Sequence, residues 1–146
     1  MSPANSPNPS KRAIVSLGSN IAPRADYLKR AIAALSALPG TRLVRASSVI
    51  ETEPFEVPAA FANQKFLNQV AIFATTLDPL EFSRRMHAIE DDLGRVRTIR
   101  NGPRTIDIDL IDFGGLVIDT PELVLPHPRA HLRDFGQTPL RELGVL

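Results

Sequence analysis

The chain is expected to be an α+β protein built on a mostly antiparallel sheet, and three observations carry that expectation. Apolar residues alternate with the period of a strand in several short segments. They recur at three and four residues in two longer ones. The segments follow one another as β-α-β-β-α-β, an order that suits helices packed on one face of a sheet.

Ala13–Leu17 reads as the first strand, broken by Gly18-Ser19-Asn20. Arg24 to Leu38 reads as a helix, because Leu28, Ala31, Ile32, Leu35 and Leu38 form one stripe that Pro39-Gly40 stops. Thr41 to Thr52, with Val44, Val49 and Ile50, reads as one strand. Glu53 to Lys65 holds Pro54, Pro58 and three alanines without a period, and reads as a long loop of the kind that is often functional. In the strand Phe66 to Thr76, Phe66, Asn68, Val70 and Ile72 share one face, while Leu67, Ala71 and Phe73 share the other.

Asp78 should cap a second helix, with Pro79 at its first position and Glu81 reaching back. Phe82, Met86, Ile89 and Leu93 make its apolar stripe, and Gly94 ends it in the left-handed region. A basic turn, Arg95 to Arg104, leads into a strand ending at Phe113. Gly114-Gly115 then turns the chain into Leu116–Ile118, and Pro126-His127-Pro128 leads to a short helix around Ala130 to Phe135. The order is the split βαβ pattern of ferredoxin-like sheets. Its helix-free face would carry Asp107, Asp109 and Asn68.

Length and composition narrow the class. With 146 residues, 43% hydrophobic and 23% charged, the chain suits one soluble domain with a real core. Residues 1–11, with Pro3, Pro7 and Pro9 among Ser and Asn, are expected to be a disordered tail before a single domain over 12–146. A net charge of +1 argues against a nucleic-acid coat, and the positive charge is local, which suits a small anionic ligand. Without cysteine there is no disulfide framework, thiolate nucleophile or Cys-type zinc site. No apolar run approaches a spanning helix, and a cytoplasmic setting is expected. Neither a membrane nor an obligate protein partner is implied.

The chemistry concentrates in Asn101–Phe113. Ile106, Ile108 and Leu110 alternate with Asp107 and Asp109, so both carboxylates project from one face, about 6.6 Å apart along the strand. Such a pair repels itself and resists desolvation, and a hard divalent cation relieves both penalties. Arg95, Arg97, Arg100 and Arg104 lie just upstream and suit phosphate oxygens. Mg²⁺-dependent phosphoryl chemistry is the reading, although alternating Asp can also be the solvent face of a strand. Asp112 has the opposite parity and is left outside the site. Gly18-Ser19-Asn20 lacks a P-loop ending and suits turn duty. His87 and Glu90, three apart on the second helix, suit a solvated helix face, and three scattered histidines show no metal spacing.

Leu17-Gly18-Ser19-Asn20, Phe66-Leu67-Asn68, Gly94-Arg95-Val96-Arg97, Gly102-Pro103-Arg104 with Asp107-Ile108-Asp109, and Pro126-His127 have an order and spacing that resemble the 6-hydroxymethyl-7,8-dihydropterin pyrophosphokinases of folate synthesis. The resemblance spans about Ala13 to Leu140. It implies a ferredoxin-like fold and transfer of the β,γ-pyrophosphoryl unit of ATP to the pterin hydroxymethyl oxygen. It also implies Asp107 and Asp109 as ligands of two Mg²⁺ ions, and Arg95 and Arg104 as the charges that neutralise the group in transfer. Arg97, Arg100, His127 and Arg133 match nucleotide-holding positions, and His87, Glu90 and Leu110 fall in the ATP site. Asn68 matches the amide that reads the pterin edge, Phe66 and Phe135 match the aromatics that sandwich the ring, and Thr52 and Phe55 line the same pocket. Departures from the commonest pattern are Asn101 for Trp, Phe66 for Tyr, Glu53 and Glu56 for Pro and Gly, and Gly136-Gln137 for an apolar pair. The competing reading is a catalytically inactive ferredoxin-like module that binds pterin or nucleotide. An RNA binder is disfavoured by the lack of an RRM-like aromatic pattern.

Overall fold

Nine elements run along the residues that the computed structural model describes, 10–20, 23–52, 65–94 and 106–127. They are β1 (Lys11–Ser19), α1 (Arg24–Ser36), β2 (Thr41–Ala46), β3 (Ile50–Thr52), β4 (Phe66–Thr75), α2 (Pro79–Asp92), β5 (Asp107–Phe113), β6 (Ile118–Asp119) and β7 (Val124–Leu125). The main sheet has the order β2-β4-β1-β5, with β3 continuing along β4, and each of its pairings is antiparallel. This is the α+β, ferredoxin-like arrangement that the element order implied.

The helices cover one face. Ala13, Val15 and Leu17 of β1, Ala71 and Phe73 of β4, and Ile108, Leu110 and Phe113 of β5 pack against Leu28, Ala31 and Leu35 of α1 and Phe82, Met86 and Ile89 of α2. Each fully buried phenylalanine here contributes about 1.5–3 kcal/mol of transfer free energy. Phe82 and Phe113 meet edge to face at 5.9 Å, which joins α2 to β5. On the opposite face Val70 and Ile72 form a smaller apolar cluster with Ile14 and Val44.

Helix ends follow their residues. The Asp78 carboxylate accepts the Glu81 N–H at 2.9 Å, as expected of an N-cap. The Glu81 side chain does not reach back, however; it takes Arg85 Nε at 2.7 Å one turn along. Gly94 has φ +88°, which closes α2 at little steric cost. Helix α1 stops at Ser36, two residues before Leu38. There the amide of Ala37 reaches the carbonyls of Ala33 and Ala34, and that of Leu38 reaches Leu35.

Two strand readings need correction. Thr41–Thr52 is two strands, because Ala46 lies opposite Ala71 and Ile50 opposite Asn68, so four steps of one chain span three of the other. Ser47 fills the break: its N–H reaches Val70 O at 2.8 Å, and its hydroxyl accepts the Val70 N–H at 2.9 Å. Within β2, Leu43 faces Phe73 but Arg45 faces Ile72, leaving Val44 as an extra residue. Another bulge lies in β5, where Val15 faces Leu110 but Ile14 faces Asp112, leaving Ile111 as the extra residue. The bulge reverses parity, so Asp112 shares the face of Asp107 and Asp109. It stays out of the site for another reason: its carboxylate accepts the Gly115 N–H of the following turn. The strand expected at Leu116–Ile118 is Ile118–Asp119, paired with Val124–Leu125 in a small hairpin. The tail 1–9, most of the loop after Thr52 and the helix expected around Ala130 to Phe135 lie outside the described residues.

Candidate active site

One row of side chains crosses the helix-free face. Gly18 of β1 lies opposite Asn68 of β4 on one side and Asp107 of β5 on the other. With strands about 4.8 Å apart, the backbones that carry the amide and the carboxylate run about 10 Å apart across a residue with no side chain. The opening is tight: a Cβ on Gly18 would lie 3.0 Å from Asn68 Oδ1 and 3.4 Å from a ring carbon of Phe66. Asn68 is 2% exposed, so its amide is fixed rather than free in solvent. Next along the strands Ser16 faces Asp109, and Phe66 faces Thr52. The row therefore has a flat, amide-bearing end at Phe66 and Asn68 and an anionic end at Asp107 and Asp109.

Beyond β5 the surface falls into a cleft of about 200 Å³, lined by Ser83, Met86 and His87 of α2, Ile108 to Leu110, Glu122 to Val124, and His127. His127 is delivered there by its own amide, which donates to the carbonyl of the bulge residue Ile111 at 2.8 Å. Its Nε2 stands 3.7 Å from Asp109 Oδ1. Met86, Ile108, Leu110 and Leu123 give the cleft an apolar wall, and Ser83, His87, Asp109 and Glu122 give it a polar rim, which suits a flat heterocycle with a polar tail. At the rim Arg84 of α2 and Glu122 form a two-bond pair, each bond 3.1 Å. That hydrogen bond from Arg84 holds the Glu122 carboxyl below its ordinary range.

Glu90 is placed differently from the solvated helix face that its sequence position suggested. It is 0% exposed, with Oε1 2.8 Å from His87 Nδ1 and Oε2 accepting the Ile108 N–H at 2.7 Å. His87 does lie half exposed at the cleft, while Glu90 stands behind it.

Of the residues singled out from sequence, Asp107, Asp109, His87, Glu90, Leu110 and His127 gather around β5, and Phe66, Asn68 and the backbone of Thr52 gather beyond Gly18. Arg95, Arg97, Arg100, Arg104, Arg133, Phe55 and Phe135 lie outside the described residues. Sequence reasoning missed Ser83, Leu123 and Val124 as cleft lining, and it missed Gly18 as the floor between the two ends. Glu90 carried a signal that was overlooked: it falls four residues after Met86, on the apolar stripe of α2.

Among the described residues no three His, Cys, Asp or Glu side chains converge as a protein-only metal cage. Two hard carboxylates on one strand face do fit Mg²⁺, which commonly takes one or two carboxylates and completes its shell with water and substrate phosphate oxygens.

Fold and site together define a ferredoxin-like α+β domain with an acidic pair set between the cleft beyond β5 and the amide-bearing end of the row at Phe66 and Asn68. The chain belongs to the 7,8-dihydro-6-hydroxymethylpterin-pyrophosphokinase (HPPK) family, whose model matches residues 14–145. It is 39% identical over 132 residues to the 2-amino-4-hydroxy-6-hydroxymethyldihydropteridine pyrophosphokinase of Bacillus subtilis, covering 90% of this chain and 77% of that protein. The enzyme of the same name from Pseudomonas aeruginosa is 40% identical over 92% of this chain and 81% of its own length. Among solved structures, Plasmodium falciparum HPPK-DHPS with pteroate aligns with a TM-score of 0.68 at 14% identity, over 94% of this chain and 39% of that chain. An HPPK-DHPS complex with substrates aligns with a TM-score of 0.66 at 12% identity, over 92% of this chain and 40% of that one. At those identities the two structures show the fold, and this chain spans about 40% of their length. No helix among the described residues is long and apolar enough to cross a membrane.

Proposed function

We infer that the chain transfers the pyrophosphoryl group of ATP to the hydroxymethyl oxygen of 6-hydroxymethyl-7,8-dihydropterin, in folate biosynthesis. The observation that carries the reading is the family match over residues 14–145, joined to the row in which Gly18 separates Asn68 from Asp107. The new bond forms between the hydroxymethyl oxygen and the β-phosphorus. The bond from that phosphorus to the oxygen it shares with the α-phosphate breaks, AMP departs and the hydroxyl proton is released.

In this reading Asn68 donates to and accepts from the pterin edge, Phe66 lies against the ring, and the absence of a side chain on Gly18 leaves room for both. The adenosine sits in the cleft beside His87, Leu110 and His127, with Glu90 holding His87 from behind. Asp107 and Asp109 hold two Mg²⁺ ions, which when bound supply charge neutralisation to the triphosphate. Arg95 and Arg104, on the family pattern, neutralise the transferring group, a role worth ~10³ to 10⁵ in rate in other phosphoryl-transfer enzymes. Arg97, Arg100 and Arg133 hold phosphates or ribose, and Thr52, Phe55 and Phe135 complete the pterin pocket. A single domain over 12–146 and a cytoplasmic setting belong to the same reading.

Incubation with ATP, Mg²⁺ and the hydroxymethyl dihydropterin, followed by nucleotide separation, tests it. AMP should form in step with a pterin diphosphate. ADP would mark an ordinary kinase, and tight binding without turnover would mark an inactive binding module.

A further inference from the structure

A single buried carboxylate ties α2 to the strand that carries the acidic pair. Glu90 is completely buried, yet its neighbours on the stripe of α2, Phe82, Met86 and Ile89, are apolar. An apolar residue would fill that position without the cost of taking a polar carboxyl group out of water. What the carboxylate adds is two acceptors. One meets His87 Nδ1 at 2.8 Å, and the other accepts the N–H of Ile108 at 2.7 Å, at the short end for an amide donor.

The place of that N–H decides what the bond does. In the order β2-β4-β1-β5, β5 is the outer strand, and the amide given to Glu90 is not available to β1. Ile108 is 1% exposed, so water is no substitute partner. Its amide belongs to the peptide that leaves Asp107, and Asp109 follows one residue later. Rotation of that peptide about the strand axis would tilt both carboxylates.

We propose that Glu90 is a positioning residue for the acidic pair, clamping the peptide between Asp107 and Asp109 from α2 and so setting the angle at which both carboxylates meet a divalent cation. The inference rests on the reading of Asp107 and Asp109 as metal ligands and goes beyond it. It gives Glu90 a role directed at the cation rather than at the nucleotide.

The test compares the full-length wild type with Glu90→Gln, Glu90→Leu and Asp109→Ala. Mn²⁺ affinity is measured by calorimetry with a non-hydrolysable ATP analogue present, alongside the Mg²⁺ concentration at half-maximal turnover. Glu90→Gln keeps an oxygen for the Ile108 N–H and should stay within about 3-fold of wild type, whereas Glu90→Leu should weaken Mn²⁺ about 10- to 100-fold, the usual cost of losing a partner behind a metal ligand. The Mg²⁺ requirement should rise by the same factor. If Glu90→Leu does not fold, Glu90→Asp, one methylene short of Ile108, replaces it with the same expected loss. A folded Glu90→Leu or Glu90→Asp that binds Mn²⁺ as wild type, or a Glu90→Gln as impaired as Glu90→Leu, overturns the proposal. Full Mn²⁺ affinity in Asp109→Ala overturns instead the metal-ligand reading beneath it.

Discussion

Replacing Gly18 by alanine places a methyl group 3.0 Å from Asn68 Oδ1 and 3.4 Å from the Phe66 ring, in the floor between the proposed pterin pocket and the acidic pair. The backbone tolerates alanine there, because Gly18 is not among the positive-φ glycines. Shortening the list of unfolded conformations contributes about 0.4–1 kcal/mol in favour of the variant. Crowding a packed site costs about 1–3 kcal/mol. The net loss of stability is therefore about 0–2.5 kcal/mol, or a melting temperature lower by no more than about 8 °C for a chain of this size. Binding should suffer more selectively. Asn68 is buried and has to give by a few tenths of an ångström to relieve the contact, which misaligns its donor–acceptor pair with the pterin edge. Two neutral hydrogen bonds at about 0.5–1.5 kcal/mol each predict a loss of about 5- to 150-fold in pterin affinity. Calorimetry with the pterin and a non-hydrolysable ATP analogue measures it, with the nucleotide's own affinity as internal control. Unchanged pterin affinity in a folded Gly18→Ala protein would show that the floor is not where the pterin lies.

Asp107→Ala and Asp109→Ala should each lower turnover by about 10³-fold or more, the equivalent of several kcal/mol of charge stabilisation, while circular dichroism stays native; near-normal rates in either variant refute the metal assignment. Ser47→Ala takes from the buried Val70 N–H the hydroxyl that accepts it at the break between β2 and β3, and urea unfolding should show a loss of about 1–3 kcal/mol. A loss near zero would mean that water takes over the Val70 N–H. The Glu122 carboxyl should titrate below its ordinary value of 4.5, chiefly through the hydrogen bond from Arg84. With the folded value lowered, stabilisation by the pair is full above the ordinary value and disappears as pH falls through the lowered one. NMR titration of Glu122 should return to the ordinary range in Arg84→Ala, and an unshifted wild-type curve contradicts the pairing.

The fold was legible wherever local pattern and packing agree. The stripes of α1 and α2, the Asp78 cap, the stop at Gly94 and the two faces of β4 all appear as read, because a period of 3.6 or 2 records which face meets the core. Reading failed at the bulges. Neither Val44 nor Ile111 differs in type from an ordinary strand residue, and each of these irregularities, like the break at Ser47, exists only because the partner strand supplies one position fewer. That is why Asp112 lies on the face opposite to the one its spacing from Asp109 indicated. Glu81 illustrates a smaller case: the capping motif was present, but Arg85 one turn on took its carboxylate.

The site divides along the same line. Chain order alone singled out the acid pair and the Asn68 strand, since each is a short contiguous run whose residue types already state their chemistry; the arginines it also singled out, Arg95 to Arg104, lie outside the described residues. Which of those runs become neighbours depended on the sheet order: β1 lies between β4 and β5, so Gly18 separates an amide from a carboxylate 39 residues further along the chain. Long-range pairing also turned Glu90 from an apparent surface acid into a buried clamp on Ile108. A strand's outward amide and a helix's inward carboxylate find each other through packing, and no local period encodes that meeting.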